Sequence, residues 1–353
     1  MKSRIVDGVN GLRMHVLEAG TPGRPCILLL HGFPELSYSW RKVMPALAEA
    51  GFHVLAPDQR GYGRTTGWDD RYDGDLASFR ILNIVADALS LLEQLGIKAA
   101  HLVGHDFGST VAAYAALTRP DVFRSLVLMS APFGGPPSAL PSAEIHRELA
   151  KLGRKHYQWY YSTREADADM RECRQGIADF LRAYYHFKSA DWPGNRPYPL
   201  KSWSAGELAK LPTYYVMELD RDMAETVAPE MPARPAVWLT NDELAFYAEA
   251  FGRTGFQGGL QWYRCATGTR FVPELMGLSG RTIDVPSMFI AGAADWGIYQ
   301  KPGEYERMQR EACTQMRGCH LVPSAGHWVQ QEQPEAVNRL LLDFVRSLSR
   351  TRN

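Results

Sequence analysis

Three short stretches hold residues whose types, order and spacing could do covalent chemistry. Gly104-His105-Asp106-Phe107-Gly108 sets a carboxylate between glycines, after an apolar run and before small, helix-compatible residues. Glycines permit a sharp strand-to-helix turn, and a carboxylate at its tip lies near free helix N–H groups that favour an anion. Gly292-Ala293-Ala294-Asp295-Trp296-Gly297 carries a single carboxylate after a second apolar run, and Ser324-Ala325-Gly326-His327-Trp328 carries a histidine after a third. Singly, Asp106 would serve as well as a helix cap, and Asp295 or His327 as a structural loop residue. Together and in this order they read as nucleophile, orienting acid and base. An aspartate in the first position attacks as a ready-made anion and forms an ester, where a hydroxyl would first have to lose its proton.

Residues so far apart in sequence need a framework that gathers them at one edge. Residues 12–18 alternate apolar and polar and predict a half-exposed strand. The runs CILLL, from Cys26, and HVLAP, from His53, predict strands buried on both faces, as in a parallel sheet. Between them, His31-Gly32-Phe33-Pro34 predicts a tight turn with His31 bracing the loop, and residues 37–50 predict a helix closed by Gly51. Residues 58–75 are polar and turn-forming, a loop at the active edge. Residues 81–95 have helical spacing and end at Gly96, feeding the strand before Asp106. Strands at 125–130, 286–291 and 319–322 and a final helix over 331–349 complete an alternation that requires a parallel sheet with right-handed crossovers. Ligands collect at the carboxyl ends of such strands. From Pro132, more than a hundred residues rich in Tyr, Trp, Arg and Glu show no convincing buried strand, which predicts a mainly helical insertion over those ends.

Composition narrows the ligand. The 39 basic and 39 acidic side chains balance without long runs of either sign, so no electrostatic footprint for nucleic acid is present, and a small, weakly polar ligand fits better. Five cysteines, odd in number and without a Cys-x-x-Cys pair, read as reduced packing residues rather than a disulfide or zinc framework. The amino-terminal residues lack an apolar signal core, and no apolar run approaches the roughly 20 residues needed to cross a membrane. A soluble, cytoplasmic protein without metal or cofactor is expected.

The chain resembles the α/β-hydrolase epoxide hydrolases over nearly its whole length. The resemblance rests on HGFPELSYSW from His31, DQRGYGRT from Asp58, GHDFGS from Gly104, QWYR from Gln261, AGAADWGIYQ from Ala291 and AGHWVQQEQPEAVNRLLLDF from Ala325. It implies a mostly parallel eight-stranded sheet flanked by helices, with a helical cap inserted after the sixth strand: core over 1–133 and 278–353, cap over 134–277. It implies Asp106 as nucleophile, His327 as base and Asp295 as its orienter, with Tyr263 and Tyr157 binding and protonating the epoxide oxygen. Tyr160 and Tyr161 lie close to Tyr157 and make that match the looser one. Backbone N–H groups of Phe33 and Phe107 would form the oxyanion hole, and Trp159, Trp328 and Pro34 would contact substrate, with Trp262 adding to an apolar pocket. The implied partners are a small-molecule epoxide and water, with no nucleic acid, no membrane span and a homodimer as the candidate assembly. A haloalkane or fluoroacetate dehalogenase would share the aspartate nucleophile. However, haloalkane dehalogenases usually carry tryptophan, and fluoroacetate dehalogenases typically arginine, where this chain has Phe107. A non-catalytic small-molecule-binding homologue is the alternative of another class.

Overall fold

The apolar run from Cys26 becomes strand β3 of a central sheet, with Ile27 and Leu29 facing one side and Leu28 and Leu30 the other, each in a separate hydrophobic cluster. This alternation is why the run must be apolar throughout: both faces are covered. The structure, a computed structural model, describes residues 1–350. Ahead of β3 (Cys26–Leu30) come β1 (Lys2–Val9) and β2 (Leu12–Ala19); behind it come β4 (His53–Pro57), β5 (Ala100–His105) and β6 (Phe123–Met129). Short strands β7 (Arg154–His156) and β8 (Val216–Glu218) form their own antiparallel ribbon, and β9 (Ser287–Gly292) and β10 (Met316–Val322) return to the main sheet. The eight-stranded order is β1-β2-β4-β3-β5-β6-β9-β10, parallel from β4 to β10, with β2 antiparallel to β1 and β4. The chain thus has the α/β-hydrolase fold.

Helices cover both faces. On one side the helices Ile81–Gln94 and Phe107–Thr118 bury residues such as Val85, Leu91, Leu92, Val111 and Leu117. On the other, Trp40, Met44 and Leu47 meet Val337, Leu341, Phe344 and Val345 of the carboxyl-terminal helix Pro334–Arg350. Each such side chain contributes roughly 1.5–3 kcal/mol by leaving water.

One strand was not foreseen, and two expectations need correction. Strand β1 carries no signal in the pattern above, because only Val6 and Val9 of its eight residues are buried. The helix expected over 37–50 is two pieces, a 3-10 turn at Ser37–Trp40 and a short helix at Met44–Glu49 with Pro45 in its first turn, where a missing N–H is tolerated. The final helix is likewise interrupted: Val329–Glu332 ends at Gln333, and Pro334 starts the long helix, since the residue before proline is pushed out of the helical region.

Between β6 and β9 the chain leaves the sheet for a mainly helical insertion, to which the ribbon β7-β8 adds an element the sequence did not announce. Its helix Gln257–Thr267 rests directly on the loop after β4. A methyl group added to Gly61 would come within 2.6 Å of the Gly258 backbone, and one added to Gly258 would overlap Gly61, so two glycines meet there face to face.

Candidate active site

Asp106 stands between β5 and the helix Phe107–Thr118 with φ 53° and ψ −120°, in a region that non-glycine residues rarely enter. A Cβ on Gly104 would collide with the Gly108 carbonyl, and one on Gly108 with the ends of Leu30 and His31, so only glycines let the turn close this tightly against β3. The strained backbone lifts the carboxylate over the carboxyl edge of the sheet. There Asp106 Oδ1 accepts a 3.0 Å hydrogen bond from the Phe33 N–H. Phe107 is the first residue of the helix; its N–H makes no bond to the Asp106 carboxylate.

The loops after β9 and β10 bring the other two groups. His327 Nδ1 lies 3.1 and 3.2 Å from the two oxygens of Asp295, which also accepts the Gly297 N–H at 2.7 Å. With Nδ1 turned to a carboxylate, Nε2 is the nitrogen that faces Asp106. Nε2 is 3.2 Å from Asp106 Oδ2 but lies off the line a hydrogen bond needs, and it has no hydrogen-bond partner. Proximity, not bonding, joins base and nucleophile. Burial pushes the Asp106 carboxyl up, but His327, with Lys188 and His105 behind it, outweighs burial and holds the group well below the usual carboxylate range. Asp295, 1% exposed, is likewise pushed up by burial and brought below its ordinary value chiefly by His327.

A cavity of about 780 Å³ opens above Asp106, and Phe107, Tyr157, Trp159, Trp262, Tyr263 and Gln300 line it. Burial first, and the Asp106 charge next, push both phenols well above their ordinary value, so both stay protonated at neutral pH. The Tyr157 hydroxyl donates to Gln300 Oε1 at 3.3 Å and accepts from Gln158 Nε2 at 3.1 Å. Tyr263, whose ring packs edge-on against Phe33 and Phe107, makes no side-chain hydrogen bond among the described residues. Tyr160 is turned elsewhere, its hydroxyl on Asp169 Oδ2 at 3.0 Å. Trp159 stacks on His146 with centroids 3.6 Å apart, and the Trp262 indole N–H is held by the Arg60 carbonyl.

Two residues expected to contact substrate are not in the cavity wall. The Trp328 ring is fully buried at the base of the insertion, its N–H on the Tyr185 carbonyl and its ring nearly perpendicular to those of Tyr185 and His327. Pro34, joined to Phe33 by a cis bond, gives its carbonyl to the Tyr185 hydroxyl. Both support the site from behind, because aromatic partners of the insertion draw them there.

Sequence reasoning passed over an ionic pair under the base. His105 faces Glu35 Oε2 through Nδ1 at 2.6 Å and the His327 carbonyl through Nε2 at 2.7 Å. A ring with acceptors on both nitrogens carries two protons; burial works against this, but Glu35 raises the His105 pKa above its ordinary value. The Gln330 and Gln331 amides occupy Glu35 Oε1. His105 inside the turn motif, and an acid following His31 in the next loop, were the available signals. His31 braces its loop as expected: its ring meets the Gly32 carbonyl and accepts the Gln59 N–H. Among the described residues no cluster of three or more His, Cys, Asp or Glu is arranged to hold a metal ion.

Comparison with known proteins identifies the family. The alpha/beta hydrolase fold family matches residues 25–334. The chain is 37% identical over 351 residues to epoxide hydrolase A of Mycobacterium tuberculosis, covering 98% of this chain and 97% of that one. It is 32% identical over 355 residues to an epoxide hydrolase of Caballeronia sordidicola, covering 99% and 97%. Among solved structures, epoxide hydrolase A from Mycobacterium thermoresistibile superposes with a TM-score of 0.81 at 34% identity over 98% of each chain. Epoxide hydrolase I of potato superposes with 0.79 at 28% identity over 98% of this chain and 99% of that one.

Proposed function

The chain belongs to the epoxide hydrolases of the α/β-hydrolase fold, and from that premise we propose that it converts an epoxide to a vicinal diol through an ester on Asp106. The observation that carries this reading is an ionised carboxylate and two protonated tyrosines facing one cavity. In this reading residues 134–277 act as a cap over the core formed by 1–133 and 278–353.

Asp106 Oδ2 attacks an epoxide carbon from behind while Oδ1 stays on the Phe33 N–H. The breaking C–O bond leaves its electrons on the ring oxygen, which takes a proton from Tyr263 or Tyr157. Water then attacks Cγ of the ester, His327 Nε2 takes its proton, and Asp295 supports the imidazolium. The new oxyanion forms on Oδ1, where the Phe33 N–H already points, and the N–H of Phe107, at the start of the helix, adds a second donor; such donors contribute about 3–4 kcal/mol each in hydrolases. Collapse expels the diol, protonated by His327, and the carboxylic acid proton returns to the tyrosinate. A dehalogenase needs N–H donors free for a departing halide, whereas the Trp262 indole is occupied by Arg60. Among the described residues no helix is long and apolar enough to cross a membrane; the five unpaired cysteines fit a reducing, cytoplasmic setting.

One turnover of styrene oxide in ¹⁸O-water, with enzyme in excess, tests the route. Unlabelled diol and a labelled peptide containing Asp106 are expected. Labelled diol with an unlabelled peptide would mean that water attacks the epoxide directly.

A further inference from the structure

Three successive backbone N–H groups around the base are held, and only one side chain holds more than one of them. Gly326 donates to Glu332 Oε2 at 2.9 Å and Trp328 to Glu332 Oε1 at 3.0 Å, while His327 between them donates to the Lys188 carbonyl at 2.9 Å. Glu332 Oε2 also accepts the Ala190 N–H at 2.9 Å. The carboxylate therefore clasps both flanks of His327 and the strand of chain that leaves the insertion helix Gly176–Lys188. The two backbones touch: a Cβ on Gly326 would meet Ser189 and Ala190 at 2.5 and 2.6 Å. Below the loop, the His327 carbonyl is fixed by His105 and by Ser130 Oγ at 3.0 Å.

We infer that Glu332 is a positioning residue for ester hydrolysis, setting His327 and tying the insertion to it. This rests on the covalent route proposed above. The argument is one of selectivity between steps. Alkylation needs Asp106 and the tyrosines, none of which Glu332 touches. Hydrolysis needs His327 Nε2 aimed at a water beside the ester carbon, and Nε2 is directed by the ring's contacts with Asp295, Trp328 and His105 and by a backbone whose two flanking N–H groups Glu332 holds. A displacement of about 1 Å in such a group can slow a step about 10²-fold. Lys188 strengthens the case for a fixed geometry: its ammonium lies within 4.8–5.7 Å of the ring centres of Tyr184, Tyr214, Tyr215 and Trp328, so the residue whose carbonyl holds His327 is itself caged. Burial pushes the Glu332 carboxyl up to about 8, while its three amide donors act in the opposite sense.

The test uses rapid mixing with styrene oxide at pH 9, where Glu332 is ionised, comparing the wild type with Glu332→Gln. Glutamine keeps the shape but turns an NH2 toward at least one of the three amides. Alkylation within twofold of wild type, hydrolysis at least tenfold slower, and ester accumulating on the Asp106 peptide are expected. Equal slowing of both steps, or no change in either, overturns the inference. Glu332→Asp, which keeps the charge but shortens its reach, should show the same split and carries the test if Glu332→Gln does not fold. His327→Gln is the control for the premise: if it traps no ester, the covalent route fails first, independently of Glu332.

Discussion

His327 and His15 look alike on a list of distances. His327 has Asp295 on Nδ1 at 3.1 Å and Asp106 near Nε2 at 3.2 Å. His15 has Asp58 on Nδ1 at 2.8 Å and the Ser3 hydroxyl on Nε2 at 2.7 Å, a tighter serine, histidine and aspartate than the active site itself possesses. The surroundings differ. Asp58 is fully engaged, its Oδ1 taking the N–H and hydroxyl of Ser37 and its Oδ2 the Arg64 N–H. Ser3 lies on the regular edge strand β1, away from the cavity over Asp106. Asp106 sits on a strained turn, beneath proton donors and beside an N–H aimed at its oxygen. Spacing makes a proton path; reactivity needs donors placed for the charge that will develop and a space for the reacting atom.

The difference can be broken from either side. The largest effect should come from Asp106→Ala, which leaves no carboxylate at the turn and should lower kcat for styrene oxide by about 10⁴-fold or more; residual turnover within a hundredfold of wild type would place the nucleophile elsewhere. Next, Tyr263→Phe should slow alkylation at least tenfold, given that general acids contribute about 10²- to 10⁴-fold. Tyr157→Phe should act similarly and Tyr160→Phe should be silent, because the latter's hydroxyl serves Asp169; the reverse pattern in single-turnover rates would exchange the two roles. At the edge site, the expected change is in stability. His15 and its neighbours outweigh burial and hold Asp58 at about 2, below the ordinary carboxylate value, so its contribution is complete above about pH 4 and lost as pH falls toward 2. His15→Asn should cost on the order of 1–3 kcal/mol and move the acid unfolding midpoint, followed by circular dichroism, to higher pH with kcat unchanged. An unmoved midpoint would deny the pair that role. The smallest effect belongs to Ser3→Ala, with kcat and melting temperature close to wild type; labelling of Ser3 by a fluorophosphonate would dissolve the distinction altogether.

The sheet was legible where strands are apolar on both faces, as in β3 and β4, and where glycines punctuate helices, as at Gly51 and Gly96. It was not legible in β1, whose pairing with β2 is mostly a matter of backbone hydrogen bonds that Lys, Ser and Arg make as well as Val. The order Asp106, Asp295, His327 could be read because the fold puts each just after a strand. Trp328 misled because a tryptophan beside a catalytic histidine can face either way, and its direction depends on Tyr185, some 140 residues earlier. In Tyr157-Gln-Trp-Tyr-Tyr161 nearly every residue is aromatic, so periodicity has nothing to discriminate. The grip of Glu332 and Lys188 on the base ends on main-chain groups, through the Glu332 carboxylate to three N–H groups and through the Lys188 carbonyl to a fourth, and main-chain partners leave no mark in side-chain patterns.

The meeting of Gly61 and Gly258 bears on how this protein can diversify. Tyr263 lies five residues beyond Gly258 on the same helix, about a turn and a half along its axis. Any side chain at either glycine would wedge that helix off the core and carry the phenol away from Asp106. The height of the proton donor above the nucleophile is thus set where two backbones touch, outside the cavity and indifferent to what fills it. Variation in the rest of the wall, from Pro132 to His146 and from Phe271 to Leu275, can then reshape the chamber for new substrates without retuning that height. A mutational library built on this scaffold should sample those segments freely and leave the two glycines untouched.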